Sequence, residues 1–82
     1  MSLEGDAAKG ARVKKFLDDP LMHEAIKSVK EDFIDEWMRT GTGDTEEREQ
    51  IYLALGALDR LIRKLGLMVA DGQVAQAEID KE

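Results

Sequence analysis

Residues 51–69 read IYLALGALDRLIRKLGLMV. Within this stretch Ile51, Leu55, Leu58, Ile62, Leu65 and Val69 recur at alternating spacings of four and three. That repeat keeps one stripe of an α-helix turned toward a neighbouring helix. Ala54, Leu61 and Met68 widen the stripe on one side, weakly at Ala54 and strongly at the two larger residues. A partner stripe lies upstream, where Met22, Ile26, Val29, Phe33 and Trp37 repeat the same spacing beside Leu21, Ala25, Ile34 and Met38. The opposite side of that segment is charged, with Lys27, Lys30, Glu31, Asp35 and Arg39.

Punctuation around the two stripes sets the expected boundaries. Asp18-Asp19-Pro20 ends one helix and starts the next, because proline disfavours the α conformation in the residue before it and suits the first helical position. Asp19 is then the expected N-cap. The segment 6–17, with Ala8, Val13, Phe16 and Leu17 among bases, reads as a short first helix with a frayed start. The second helix is expected over 20–39. Thr40-Gly41-Thr42-Gly43-Asp44 then breaks the pattern. Gly41 is a candidate for the left-handed closing position, and Asp44 with Glu47 for a capping box. The third helix is expected over 45–70. Gly72 is a candidate stop, while Val74, Ala77 and Ile79 favour continuation to about residue 79.

A short turn makes the second and third helices antiparallel neighbours. Residues equidistant from it then face one another: Trp37 and Ile51, Phe33 and Leu55, Val29 and Leu58, Ile26 and Ile62, Met22 and Leu65. The expected fold is all-α, a short N-terminal helix followed by a long antiparallel helical hairpin that assembles into a helical bundle.

Size gives the reason for assembly. A chain of 82 residues makes one domain, and domains this small bury only about 60% of their unfolded surface, so they rely on reinforcement. With no cysteine and one histidine, disulfides and thiolate zinc sites are excluded, which leaves oligomerisation. The first helix, through Phe16 and Leu17, is expected to cover part of Leu61 and Met68. Leu53 and Leu67 lie on the side of the third helix away from the hairpin seam. Leu53, Leu61, Leu67 and Met68 are therefore the expected interface of a homodimer, against the alternative of a three-helix monomer with scattered exposed leucines. Gly56 and Gly66 either allow close helix approach there or are tolerated within a well-packed helix.

The N-terminus carries Glu4 and Asp6 where a signal peptide needs bases, and no apolar run reaches the roughly 18 residues of a membrane span. The expectation is a soluble cytoplasmic protein with no membrane partner. The formal net charge of −6 opposes long-range attraction to phosphate backbones. Arg12, Lys14 and Lys15 could converge with Arg60, Arg63 and Lys64, yet pairs such as Asp59 with Arg63 favour solvated faces over nucleic-acid contact.

Catalytic chemistry finds few residues. Asp32 with Asp35 and Glu46 with Glu49 are carboxylate pairs at three-residue spacing, able in principle to share a magnesium ion as in all-α nucleotide pyrophosphatases. Asp32 and Asp35 flank the core position Phe33, and the glutamates stand in a first helical turn where carboxylates serve the helix dipole. His23 has no second imidazole to share a metal, and Ser28 and the threonines have no plausible base. No catalytic, cofactor-binding or metal residue is assigned, and the chain reads as a non-enzyme.

Several local features together form a pattern: Phe16-Leu17-Asp18-Asp19-Pro20-Leu21, then Trp37, then Asp44-Thr45-Glu46-Glu47-Arg48-Glu49, then Tyr52 and Ala57-Leu58-Asp59, ending at Gly72. This resembles small helical proteins of tailed-phage and prophage genomes, encoded in the head and packaging gene region. The resemblance covers roughly residues 10–77 and rests largely on capping and core residues. It implies a phage or prophage origin and an accessory role in virion assembly beside other phage structural proteins. It supplies no catalytic residue or ligand. The sequence thus points to a noncatalytic helical oligomer acting through protein–protein contacts. A magnesium-dependent pyrophosphatase-like enzyme and a nucleic-acid-binding accessory protein are the alternatives.

Overall fold

The computed structural model describes residues 2–81, and they form three α-helices with no strand among them. Helix α1 spans Leu3–Asp18, α2 spans Pro20–Arg39 and α3 spans Thr45–Asp80. The all-α class read from the spacing is the class observed.

Each boundary has a local cause. Ser2 caps α1, its Oγ accepting from the amide of Gly5 at 3.0 Å, so the helix starts three residues before the segment 6–17 marked by its apolar spacing. The break between α1 and α2 is a single residue. Asp19 stands in an extended conformation, and its carboxylate accepts from the Leu21 amide at 2.8 Å, while Pro20 opens α2. At the far end of α2, Thr40 is extended, and its Oγ1 donates to the carbonyl of Trp37 at 2.6 Å.

The turn that follows is built differently from the expected one. No described glycine has a positive φ, so Gly41 does not close α2 in the left-handed conformation; extended Thr40 ends it instead. Asp44 makes no side-chain cap to α3. Its carboxylate turns back and accepts from the Gly41 amide at 2.8 Å, while its own amide donates to the Gly41 carbonyl at 3.1 Å. The two bonds close the loop upon itself, which uses the carboxylate that a capping box would need.

Helix α3 runs through Gly56, Gly66 and Gly72 without interruption for 36 residues. At 1.5 Å per residue that is about 54 Å, which accounts for most of the 61 Å long dimension of the molecule. Helices α1 and α2, of 16 and 20 residues, together equal its length, and they lie in succession along it. The other dimensions, 24 and 14 Å, describe a layer two helices wide and one helix thick.

The tight pair is α1 with the C-terminal half of α3; α2 shares far less surface with α3 than the expected hairpin implies. Gly10 and Gly72 explain the difference. They bring the two backbones into direct contact: a Cβ added at Gly10 would stand 2.7 Å from Gly72 Cα and from the Met68 carbonyl oxygen. Beside them Ala7, Val13 and Ala75 are buried. The contact is thus made by the small face of α1, while Phe16 remains 59% exposed and Leu17 is half-buried. The expected cover of Leu61 and Met68 by Phe16 and Leu17 gives way to this contact, because small residues let backbones approach more closely than a large ring does.

Along α3 the inward positions are Ile51, Leu55, Leu58, Ile62, Leu65 and Val69, continued by Gly72, Ala75 and Ile79. On α2 only Ile26 and Phe33 of the apolar stripe are half-buried, and no α2 residue is fully buried. Among the described residues Ile51, at 5% exposed, is the one large apolar side chain of the α2–α3 end that is buried.

Candidate interaction surface

So thin a layer leaves many apolar side chains facing outward. Of the four residues expected at an interface, Leu53, Leu61 and Leu67 are exposed and Met68 is half-buried. Met68 sits in a shallow groove between α1 and α3, with Leu3, Asp6, Lys9, Lys64 and Asp71 around it. Leu61, seven residues earlier, keeps 57% of its surface open, since α1 does not extend over it. Leu53 and Leu67 are two heptads apart on the outer side of α3. The four residues therefore do not form one patch.

Helix α2 adds more apolar surface. Leu21, Ile34 and Met38 are exposed, and even the seam residues Met22 and Val29 remain about as open as surface residues. Gly56 and Gly66 stand on α3 with nothing near the position of an added Cβ, so neither serves a close approach within the chain. The close-approach glycines are Gly10 and Gly72. The signal for Gly10 lay in its small neighbours Ala7 and Ala11, and that for Gly72 in Ala75, all poorer in apolar area than the residues that draw the eye.

Arg48 is a second residue that the spacing did not single out. It stands in the first turn of α3, and its Nε donates to Thr40 Oγ1 at 2.7 Å. Its guanidinium lies 4.8 Å from the Trp37 ring centroid, within range of a cation–π attraction. One side chain therefore ties the last turn of α2 to the first turn of α3 while half-buried.

The titratable residues are dispersed. Asp32, Asp35, Glu46 and Glu49 are exposed, and among the described residues no three of His, Asp or Glu converge closely enough to hold a metal ion. His23 is exposed on the first turns of α2. The basic residues are partly engaged: Lys14 pairs with Asp18, and Arg63 with Asp59 at 2.7 Å. These are exposed i,i+4 pairs, each worth about 0.3–0.5 kcal/mol. No helix among the described residues is long and apolar enough to cross a membrane. Comparison with known proteins finds no match by family model, by sequence among curated proteins or by fold among solved structures.

Proposed function

We propose that this chain is a noncatalytic helical protein that works as a homo-oligomer, in the first instance a dimer, and acts through protein–protein contacts in the cytoplasm. One observation carries the reading: the chain exposes too much surface for its mass. Its accessible area is 6578 Å², whereas a compact monomer of 9.2 kDa exposes about 4,900 Å². The radius of gyration agrees, at 17.6 Å against about 12 Å for a compact domain of this length. Much of the excess is apolar, contributed by leucine, isoleucine and methionine side chains that α1, α2 and α3 leave uncovered. Surface of that kind is what a partner removes from water.

The sequence resemblance to small phage and prophage proteins gives the role a setting, accessory work in virion assembly with other phage structural proteins as further partners. Sedimentation equilibrium at micromolar concentration tests the oligomer directly. A mass above 9.2 kDa is expected, twice that value for a dimer, and a 9.2 kDa species alone refutes the reading. The setting has its own test in the flanking genes. Portal or terminase genes beside this one support it, and genes of an unrelated system remove it.

A further inference from the structure

We infer that a second copy of this chain docks antiparallel on the α2–α3 half of the molecule, over the seam left open at Met22, Val29 and Leu61. The inference rests on the homo-oligomer reading and adds where the copies meet and in which direction. The two halves of the molecule differ in how well they are closed. The α1 half holds Ala7, Gly10, Val13, Gly72 and Ala75, all buried. The α2 half holds one buried residue, Ile51. Among the described residues thirteen large apolar side chains are exposed, and nine of them lie between Leu21 and Leu61. The uncovered surface therefore belongs mainly to one half.

The area is sufficient. The excess over a compact monomer is about 1,700 Å², against about 800 Å² for one side of a standard interface. A second two-helix layer laid over this half would complete a four-helix arrangement of the kind that closes both faces of a seam.

Charge selects a second copy and sets its direction. Residues 31–50, around the turn, carry eight acidic and two basic side chains, a net of −6. Residues 19–30 and 58–67, which make the end of the α2 half away from the turn, carry five basic and three acidic side chains, a net of +2. When two copies overlap by their α2 halves in opposite directions, each acidic turn lies against the basic far end of the partner's α2 half. A parallel arrangement would set turn on turn and repel. Twofold symmetry repeats the favourable match on both sides.

The chain has no cysteine, so single introduced thiols report on the interface. Leu61→Cys and Val29→Cys test the seam on its two helices, and Val74→Cys, on the exposed surface of the α1 half, is the reference. Retained helical circular dichroism qualifies each variant. Thiol alkylation is followed at concentrations below and above the dimer midpoint set by sedimentation equilibrium. At the seam, labelling should slow in proportion to the remaining monomer, roughly tenfold when a tenth of the chains are monomeric. The reference should not change. A dimer that protects Val74→Cys and leaves both seam thiols free overturns the inference while the homo-oligomer reading stands; a chain that stays at 9.2 kDa overturns both. Raising salt from 50 to 500 mM should weaken the antiparallel dimer, roughly tenfold. A dimer that tightens with salt overturns the antiparallel arrangement.

Discussion

Replacing Gly72 by alanine should destabilise this protein, although alanine is the better helix former. In an open helix the substitution gains about 1 kcal/mol. At Gly72 the added Cβ would lie 2.8 Å from Gly10 Cα and 3.1 Å from the Asp6 carbonyl oxygen. Carbon atoms rest at about 3.5–4.0 Å, so α1 and α3 must separate by nearly 1 Å, which forfeits a quarter to a half of each dispersion contact along the seam. Both obstacles are backbone atoms, and no rotamer change can relieve them. Overpacking of this kind costs about 1–3 kcal/mol, and the rigidity of the obstacle places Gly72→Ala at the upper end, for a net loss of about 2 kcal/mol. Gly56→Ala makes the ideal comparison, since its Cβ would meet nothing within 4 Å and only the gain of about 1 kcal/mol remains. Urea unfolding followed by far-ultraviolet circular dichroism, at one fixed protein concentration, reads both. With a slope of about 1 kcal/mol/M for a chain of this size, the midpoint should fall by about 2 M for Gly72→Ala and rise by about 1 M for Gly56→Ala. A midpoint that rises for both variants would refute the close backbone contact.

Two further substitutions probe the ends of α2. Asp19→Ala removes the carboxylate that accepts from the Leu21 amide and should cost about 1 kcal/mol, read as a lower urea midpoint, with Asp19→Asn or Asp19→Ser retaining most of the stability. Arg48→Ala removes the bond to Thr40 and the cation over Trp37, and should cost about 1–2 kcal/mol with a change in tryptophan emission. Arg48→Lys should restore little of it, because an ammonium cannot both reach the hydroxyl and lie flat on the ring.

Much of this architecture is legible in the sequence, for reasons that differ by element. The stripe from Ile51 to Val69 faces inward because its period is a property of helix geometry, and Asp19 caps α2 because proline leaves the preceding residue little choice. The α1–α3 contact was not legible in the same way. Apolar patterning weighs residues by the area they bury, so Phe16 and Leu17 outranked Gly10, yet a glycine contributes by what it lacks. Gly72 invited reading as a stop for the same reason. In the turn, Asp44 had two amides within reach, that of its own helix and that of Gly41, and spacing cannot rank them. Among the expected interface residues, Leu61 was distinguishable from Met68 only once the end of α1 was known, since one heptad separates them and only Met68 lies alongside α1.

The unbroken α3 has a mechanical consequence. Asp19 interrupts the backbone ladder between α1 and α2, and two helices joined by one residue would ordinarily swivel. Here a continuous 36-residue helix lies alongside the joint, as a splint lies across a fracture. Swivelling at Asp19 would require bending that helix, parting Gly10 from Gly72, or breaking the Arg48 tie that holds the far end of α2 to α3. The molecule therefore meets a partner as one stiff rod of fixed outline, with little conformational freedom to surrender on contact.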